Sequence, residues 1–281
     1  MNNAPIGIFD SGLGGLTVAR GIADVLPSES FIYVGDQARC PYGPRDASEV
    51  QDFVRQIGTF LANNQVKLIV IACNTATACA LSVAQQHFDV PVIGVIDAGA
   101  RAVLDVTQTG KIAVIGTPLT IESNAYPEAI AVRDNQAEVF AGAAPELAGI
   151  VESGREDEAA IDVQEHGEYY QLVESYLQPL LGADREREVD TLLLGCTHYP
   201  VLLQALQVVA GCEVALVCAV REVADEVRQV LEDARQLANL QNVPEHIFYT
   251  TAEDTETFRR LGSKIFGSDL VNVEHLCLDE G

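Results

Sequence analysis

The chain contains no tryptophan and one methionine, and aromatic side chains make up only 6% of its 281 residues. Burial must therefore rest on Val, Leu, Ile and Ala rather than on aromatic clusters, a composition that suits parallel α/β sheets. Cationic charge is also scarce: 17 Lys and Arg stand against 41 Asp and Glu, a formal net charge of -24. Nucleic acids and anionic membranes both attract a basic footprint, so neither is expected as a partner. Long apolar runs are missing as well. The best, Leu68 to Cys73, stops at Asn74, far short of the ~20 residues that span a bilayer. The opening Met-Asn-Asn-Ala-Pro-Ile-Gly has no basic region ahead of an apolar stretch, so a cytoplasmic location with reduced thiols is expected. The Cys are odd in number and include no Cys-x-x-Cys pair, which disfavours a disulfide framework and a structural zinc site.

What is present is a recurrence of short apolar runs: Pro5 to Phe9, Phe31 to Gly35, Leu68 to Ala72, Val92 to Ile96, Ile112 to Gly116, Thr191 to Gly195 and Val214 to Val217. Each is too short for a helix and lacks polar alternation, as expected of strands buried on both faces. Helical patterns lie between them, the clearest running from Val220 to Leu237 with one apolar face. The alternation predicts an α/β fold with ligands at the carboxyl ends of strands. The length suffices for about two domains of ~150 residues. Leu68-Ile-Val-Ile-Ala-Cys73-Asn-Thr also echoes Thr191-Leu-Leu-Leu-Gly-Cys196-Thr-His. The expected architecture is two similar α/β domains with mainly parallel central sheets, related by a pseudo-two-fold and facing across a cleft. Residues 1–97 plus 212–281 would form the first and 98–211 the second. The stretch from Glu152 to Glu168 holds seven carboxylates and one Arg and is read as a solvated helix or loop.

Three places could carry chemistry. Asp10-Ser11-Gly12-Leu13-Gly14-Gly15 follows a strand and opens a helix, but it fails as a dinucleotide fingerprint. Thr17 stands at the third glycine position, and Asp10 would repel a pyrophosphate. The Asp suits an ammonium-bearing ligand or caps the helix. Cys73 ends a strand just where a helix begins, a setting expected to favour the thiolate and lower its pKa. Cys196 repeats that setting, with His198 close enough in sequence to assist it and Pro200 placed to start a helix from Val201 to Ala210. A single Cys after a strand is commonly a packed small residue, whereas two in matched settings point to chemistry. A Cys-His peptidase would use one nucleophile and leave the second thiol unexplained. Cys79, Cys212, Cys218 and Cys277 are read as packed, and Cys40 precedes a Pro41-Tyr42-Gly43 turn whose amides and phenol could bind an anion.

In chain order, Asp10-Ser11-Gly12, Pro41-Tyr42-Gly43, Ala72-Cys73-Asn74-Thr75-Ala76 and Gly195-Cys196-Thr197-His198-Tyr199-Pro200 closely resemble the motifs of bacterial glutamate racemases, in the cofactor-independent aspartate/glutamate racemase superfamily. The likeness runs from about Ile6 to about Leu276. Gly116-Thr117 with Thr120, Ser123 and Tyr126, and Val151-Glu152-Ser153-Gly154, match it too. The resemblance implies interconversion of L- and D-glutamate, supplying D-glutamate for peptidoglycan, without cofactor or metal and by a chain that dimerises with itself. It implies that Cys73 deprotonates D-glutamate and Cys196 L-glutamate, each thiol returning the proton for the other. Asp10 would assist Cys73, while His198 and Glu152 would assist Cys196. Asn74, Thr75 and Thr197 would bind the amino-acid head, and Ser11, Tyr42 and Gly43 the side-chain carboxylate, with Thr117 a further contact; Asp10 and His198 would also touch substrate.

The chemistry agrees, because inverting Cα needs a base on one face and an acid on the other. An aspartate racemase of the same superfamily and a non-catalytic acidic amino-acid binding module are the rival readings. The sequence departs from the family at Ala144 and Gly149, where many members have Cys and Pro, and at Ala98, in place of a common Pro. The segment from Arg155 to Asp190 is also longer and more acidic than usual.

Overall fold

A computed structural model describes residues 1–182 and 186–278, and the features below refer to these. Its first sheet begins with β1 (Ile6–Asp10), α1 (Leu16–Val25), β2 (Phe31–Gly35), α2 (Ala47–Asn63), β3 (Leu68–Ile71), α3 (Asn74–His87) and β4 (Val92–Ile93). After α4 (Ile96–Val106) the chain builds a second sheet from β5 (Lys111–Gly116), α5 (Pro118–Glu122), α6 (Ala125–Arg133) and β6 (Glu138–Ala143). This sheet continues through α7 (Glu146–Glu152), α8 (Glu156–Asp162), α9 (Glu168–Leu181), β7 (Thr191–Gly195), α10 (Leu203–Ala210) and β8 (Ala215–Val217). The chain then returns to the first sheet with α11 (Val220–Asp233), β9 (His246–Thr250), α12 (Thr255–Phe266) and β10 (Val273–His275).

Both sheets are parallel throughout. Their orders are β10-β9-β2-β1-β3-β4 and β6-β5-β7-β8. The β2-β1-β3-β4 portion of the first has the same layout as the second: the opening strand sits inside, its successor on one flank and the third strand on the other. In each sheet the strand order therefore reverses beside the opening strand, where parallel sheets leave a crevice at their carboxyl ends. Cys73 follows β3 and Cys196 follows β7, so each thiol stands at such a reversal.

The strands form where the sequence puts continuous apolar residues. β1, β2, β3 and β7 are buried along their whole length. Burying a Val, Leu, Ile or Phe stabilises by roughly 1.5–3 kcal/mol, which fixes both layers around them. Several expected boundaries move; α11, expected to reach Leu237, ends at Asp233. The run Val92 to Ile96 is strand only over Val92–Ile93, and Ile96 already opens α4. The helix after Cys196 begins as a 3-10 turn, Tyr199–Leu202, before α10. β8 pairs with β7, so the second sheet extends past residue 212, where the return to the first unit was expected. In the acidic stretch, α8 carries Glu156, Asp157 and Glu158 in its first turn, where the helix dipole favours carboxylates. Residues 183–185 of the longer segment Arg155 to Asp190 lie outside the described residues.

Candidate active site

The loop between β1 and α1 is rich in glycine because the second unit presses directly on it. A Cβ on Gly14 would lie 2.5 Å from Thr197 Oγ1 and 2.6 Å from His198 Nδ1. One on Gly12 would strike the Glu152 carboxylate. Gly12 and Gly14, which resembled part of a phosphate loop, thus serve close approach between two parts of the protein, while Gly15 packs against Asp10 and Tyr33.

Asp10, fully buried at the end of β1, accepts the Gly12 amide at 3.0 Å and the Thr197 hydroxyl at 3.1 Å. It ties the first sheet to the loop after Cys196. Burial raises its pKa, and the nearby His198 charge opposes that only in part. Toward Cys73 it acts through its charge. The hydrogen-bonding neighbour of Cys73 is Ser11, at a long 3.9 Å between Sγ and Oγ.

Cys73 is the N-cap of α3, and the Ala76 amide faces its sulfur. The expected drop in its pKa does not occur. Burial pushes the thiol well up, the Asp10 charge adds to that, and the helix amide offsets only a part. Desolvation of a thiolate outweighs one helix terminus, so the resting form of Cys73 is the neutral thiol.

Cys196 has a different neighbour. His198 Nδ1 lies 3.5 Å from its sulfur, while the opposite nitrogen, Nε2, lies 2.6 Å from Glu152 Oε1. Burial by itself would lower the imidazole pKa, but the charges and hydrogen bonds of Cys196 and Glu152 raise it well above the ordinary value. Burial likewise works to raise Glu152, and His198, the Leu13 amide and Gln37 outweigh it, holding the carboxyl low. Both shifts favour imidazolium and carboxylate, the form in which both ring nitrogens donate. At the two positions that depart from the family pattern ahead of Glu152, the Ala144 carbonyl accepts the Tyr199 hydroxyl at 2.8 Å and Gly149 has open space where a Cβ would stand.

Between the two sulfurs is one small cavity, lined by Ser11, Tyr42, Gly43, Cys73, Asn74, Thr75, Thr117, Cys196, Thr197 and His198 together with Pro41 and Ala148. Asp10 and Glu152 stand just behind it, bonded to Thr197 and His198. The cavity is closed down to about the space of one water molecule, so an amino acid enters only if the two sides separate. Its polar wall is tightly wired. Asn74 Nδ2 donates to the Tyr126 hydroxyl at 2.6 Å, and Thr75 Oγ1 meets Thr117 Oγ1 at 2.8 Å and Thr120 Oγ1 at 3.2 Å.

The Tyr42 phenol, read from the sequence as an anion contact, donates its hydroxyl proton to Asp36. Asp36 also accepts Arg39 Nε at 2.7 Å and Thr251 Oγ1 at 2.8 Å. The Gly43 carbonyl accepts the Leu119 amide at 3.1 Å, docking the 41–43 turn on α5. The sequence offered Asp36 only as the strand-end acid of the rejected dinucleotide fingerprint, and Gln37 was not singled out. Gln37 carried no local signal that could have found it.

Two thiols facing one space from separate sheets, one neutral and one beside an imidazolium, can remove a proton from one face of a carbon and return it to the other. Known proteins resemble this chain over nearly its whole length. The model of the Asp/Glu/hydantoin racemase family matches residues 15–227. A glutamate racemase from Exiguobacterium sibiricum is 45% identical over 262 residues, covering 93% of this chain and 92% of the relative. Among solved structures, a glutamate racemase from Bacillus anthracis superposes with a TM-score of 0.88 at 41% identity, covering 99% of both chains. One from Francisella tularensis, solved with D-glutamate, gives 0.87 at 32% identity, covering 100% of both.

Proposed function

Because the chain belongs to the Asp/Glu/hydantoin racemase family, we propose that it interconverts L- and D-glutamate by direct proton transfer between Cys73 and Cys196. The observation that carries this reading is that both sulfurs line one cavity from opposite sheets. Relatives at this level of identity are glutamate racemases, which favours glutamate over aspartate and over a binding module without chemistry.

In the reaction, Cys73 as thiolate takes the Cα proton of D-glutamate while Cys196, with His198 behind it, donates to the other face. The reverse direction starts from Cys196. The carbanion between these steps is very basic, and fixed donors around the α-carboxylate must carry much of its charge. Asn74, Thr75 and Thr197 supply them, each already oriented by a buried partner. Ser11, the 42–43 backbone and Thr117 hold the side-chain carboxylate. Asp10 faces the ammonium and biases Cys73 by its charge. No cofactor or metal takes part.

The catalytic unit carrying Cys73 comprises residues 1–97 and the C-terminal return, and the unit carrying Cys196 starts at 98 and runs through β8. The protein works as a cytoplasmic homodimer, without nucleic-acid partners, and supplies D-glutamate for peptidoglycan. The test is incubation of L-glutamate and L-aspartate, separately, with protein in heavy water. Deuterium at Cα together with loss of optical activity on glutamate is the expected result. A clear preference for aspartate, or binding without exchange, would overturn the assignment.

A further inference from the structure

The Glu152 carboxylate ends α7, in the same unit as Cys196 and His198, yet two of its hydrogen bonds come from the other unit. The Leu13 amide, in the loop after β1, donates to Oε1 at 2.7 Å. Gln37 Nε2, in the 3-10 turn Gln37–Arg39 after β2, donates to Oε2 at 2.9 Å. The third donor is His198 Nε2, on Oε1 at 2.6 Å. Gln37 is thus the side chain that fixes the oxygen His198 does not touch. It lies outside the cavity between the two cysteines, where it has no contact to make with substrate.

We propose that Gln37 is a positioning residue for proton transfer: by gripping Glu152 from across the cleft it holds Glu152 on His198 and His198 on Cys196, so this relay is complete only when the two units are closed. The inference rests on the racemase reading and extends it to how closure assembles the site. A carboxylate bonded on one oxygen can turn about its side-chain torsions, whereas donors on both oxygens fix its plane. Opening the cleft withdraws Leu13 and Gln37 together and admits water, which weakens what remains of the Glu152–His198 pair. Proton handling at Cys196 is thereby confined to the closed form, where the carbanion is shielded from solvent protons.

The sign of the expected effect follows from the groups that face Glu152. His198 is its cationic neighbour, while Asp10, the Cys40 thiol and the Tyr33 phenol bring negative charge or none. A Glu152 released from Gln37 is repelled by Asp10 and leaves His198 with a weaker counter-charge. The imidazole then loses its proton at lower pH.

Gln37→Met keeps the length of the side chain and removes the amide; Gln37→Ala serves if the Met variant melts early. The imidazole of His198 is titrated by NMR in the intact protein, assigned by difference against His198→Asn, and racemisation is followed across pH. The expected result is a His198 titration about one unit lower, the scale of one hydrogen bond to a charged group. The alkaline limb of kcat/KM moves with it, and kcat falls about tenfold with little change in KM. A His198 titration and a pH profile that superimpose on those of the unsubstituted protein would overturn the proposal. The titration needs no turnover, so an unsubstituted protein that fails to racemise glutamate would remove the substrate assignment while the role of Gln37 is still read.

Discussion

His198 Nδ1 lies 3.5 Å from the sulfur of Cys196, whereas the hydrogen-bonding neighbour of Cys73 is the neutral Ser11 hydroxyl at 3.9 Å. The two thiols occupy matched places at strand ends but have unmatched surroundings. The proposed reaction needs one thiolate and one thiol at the same time, so both acid and alkali should slow it. The rate should show a bell-shaped dependence on pH, and His198→Asn, which takes the cation away from the Cys196 sulfur, should move the alkaline limb to higher pH. Steady-state rates on each enantiomer from pH 6 to 10 would check this, and an unchanged profile would remove His198 from the proton path.

Cys73→Ala and Cys196→Ala should each lose racemisation by about 10³-fold or more, the scale of a missing acid–base group, while still binding glutamate. Elimination of chloride from a β-chloro analogue needs a base on one face only. Cys73→Ala should retain it for the L form and Cys196→Ala for the D form. Retention of the opposite enantiomer by either variant would reverse the assigned faces.

Gly14→Ala should be damaging out of proportion to one methyl group, because the new Cβ meets Thr197 and His198. Overpacking of this kind costs about 1–3 kcal/mol. Here it also displaces the His198 side of the cleft, so urea unfolding should show that loss and kcat should fall more steeply than stability. A variant with normal kcat would mean that the interface yields without moving His198.

Asp10→Asn should separate stability from activity. The Asp10 carboxyl has its pKa raised by burial, so its ionised form opposes folding. That group contributes its full stability below the unfolded pKa and loses it as pH rises through the folded value. The Asn variant should therefore melt higher than the parent at pH 8, with the advantage closing as the pH falls toward the ordinary carboxylate range, and it should racemise more slowly. A lower melting temperature at pH 8 would mean that the bonds to Gly12 and Thr197 outweigh the cost of the charge.

Tyr126→Phe removes the partner of the Asn74 amide. The cost of one buried hydrogen bond is about 1 kcal/mol, or roughly fivefold in kcat/KM. If Asn74 binds the amino-acid head, KM for glutamate should rise while the melting curve moves little. An unaltered KM would detach Asn74 from substrate binding.

Much of this was legible in the sequence because the strands nearest the site are buried on both faces and read as unbroken apolar runs. The echo around Cys73 and Cys196 marks equivalent strands, β3 and β7, in two sheets of matching order. β6 was missed because it lies at a sheet edge, partly exposed and interrupted by glycine. β9 and β10 extend the first sheet beyond that shared layout, so the echo gave no warning of them. The Cys73 pKa followed from a local helix terminus, but burial, a tertiary property, decides it. Gln37 was silent for the same reason: its partner Glu152 is 115 residues away, and nothing in its own neighbourhood marks it.

Matching strand order in the two sheets means that one scaffold is used twice, each copy offering a sulfur from the same rung. On the proposed mechanism, mirror-image molecules are met by a single repeated device, and discrimination between left and right falls to the ornaments hung on it, a hydroxyl at one rung and an imidazole at the other. Exchanging those ornaments would alter which hand is processed through which protonation state, with the framework itself untouched.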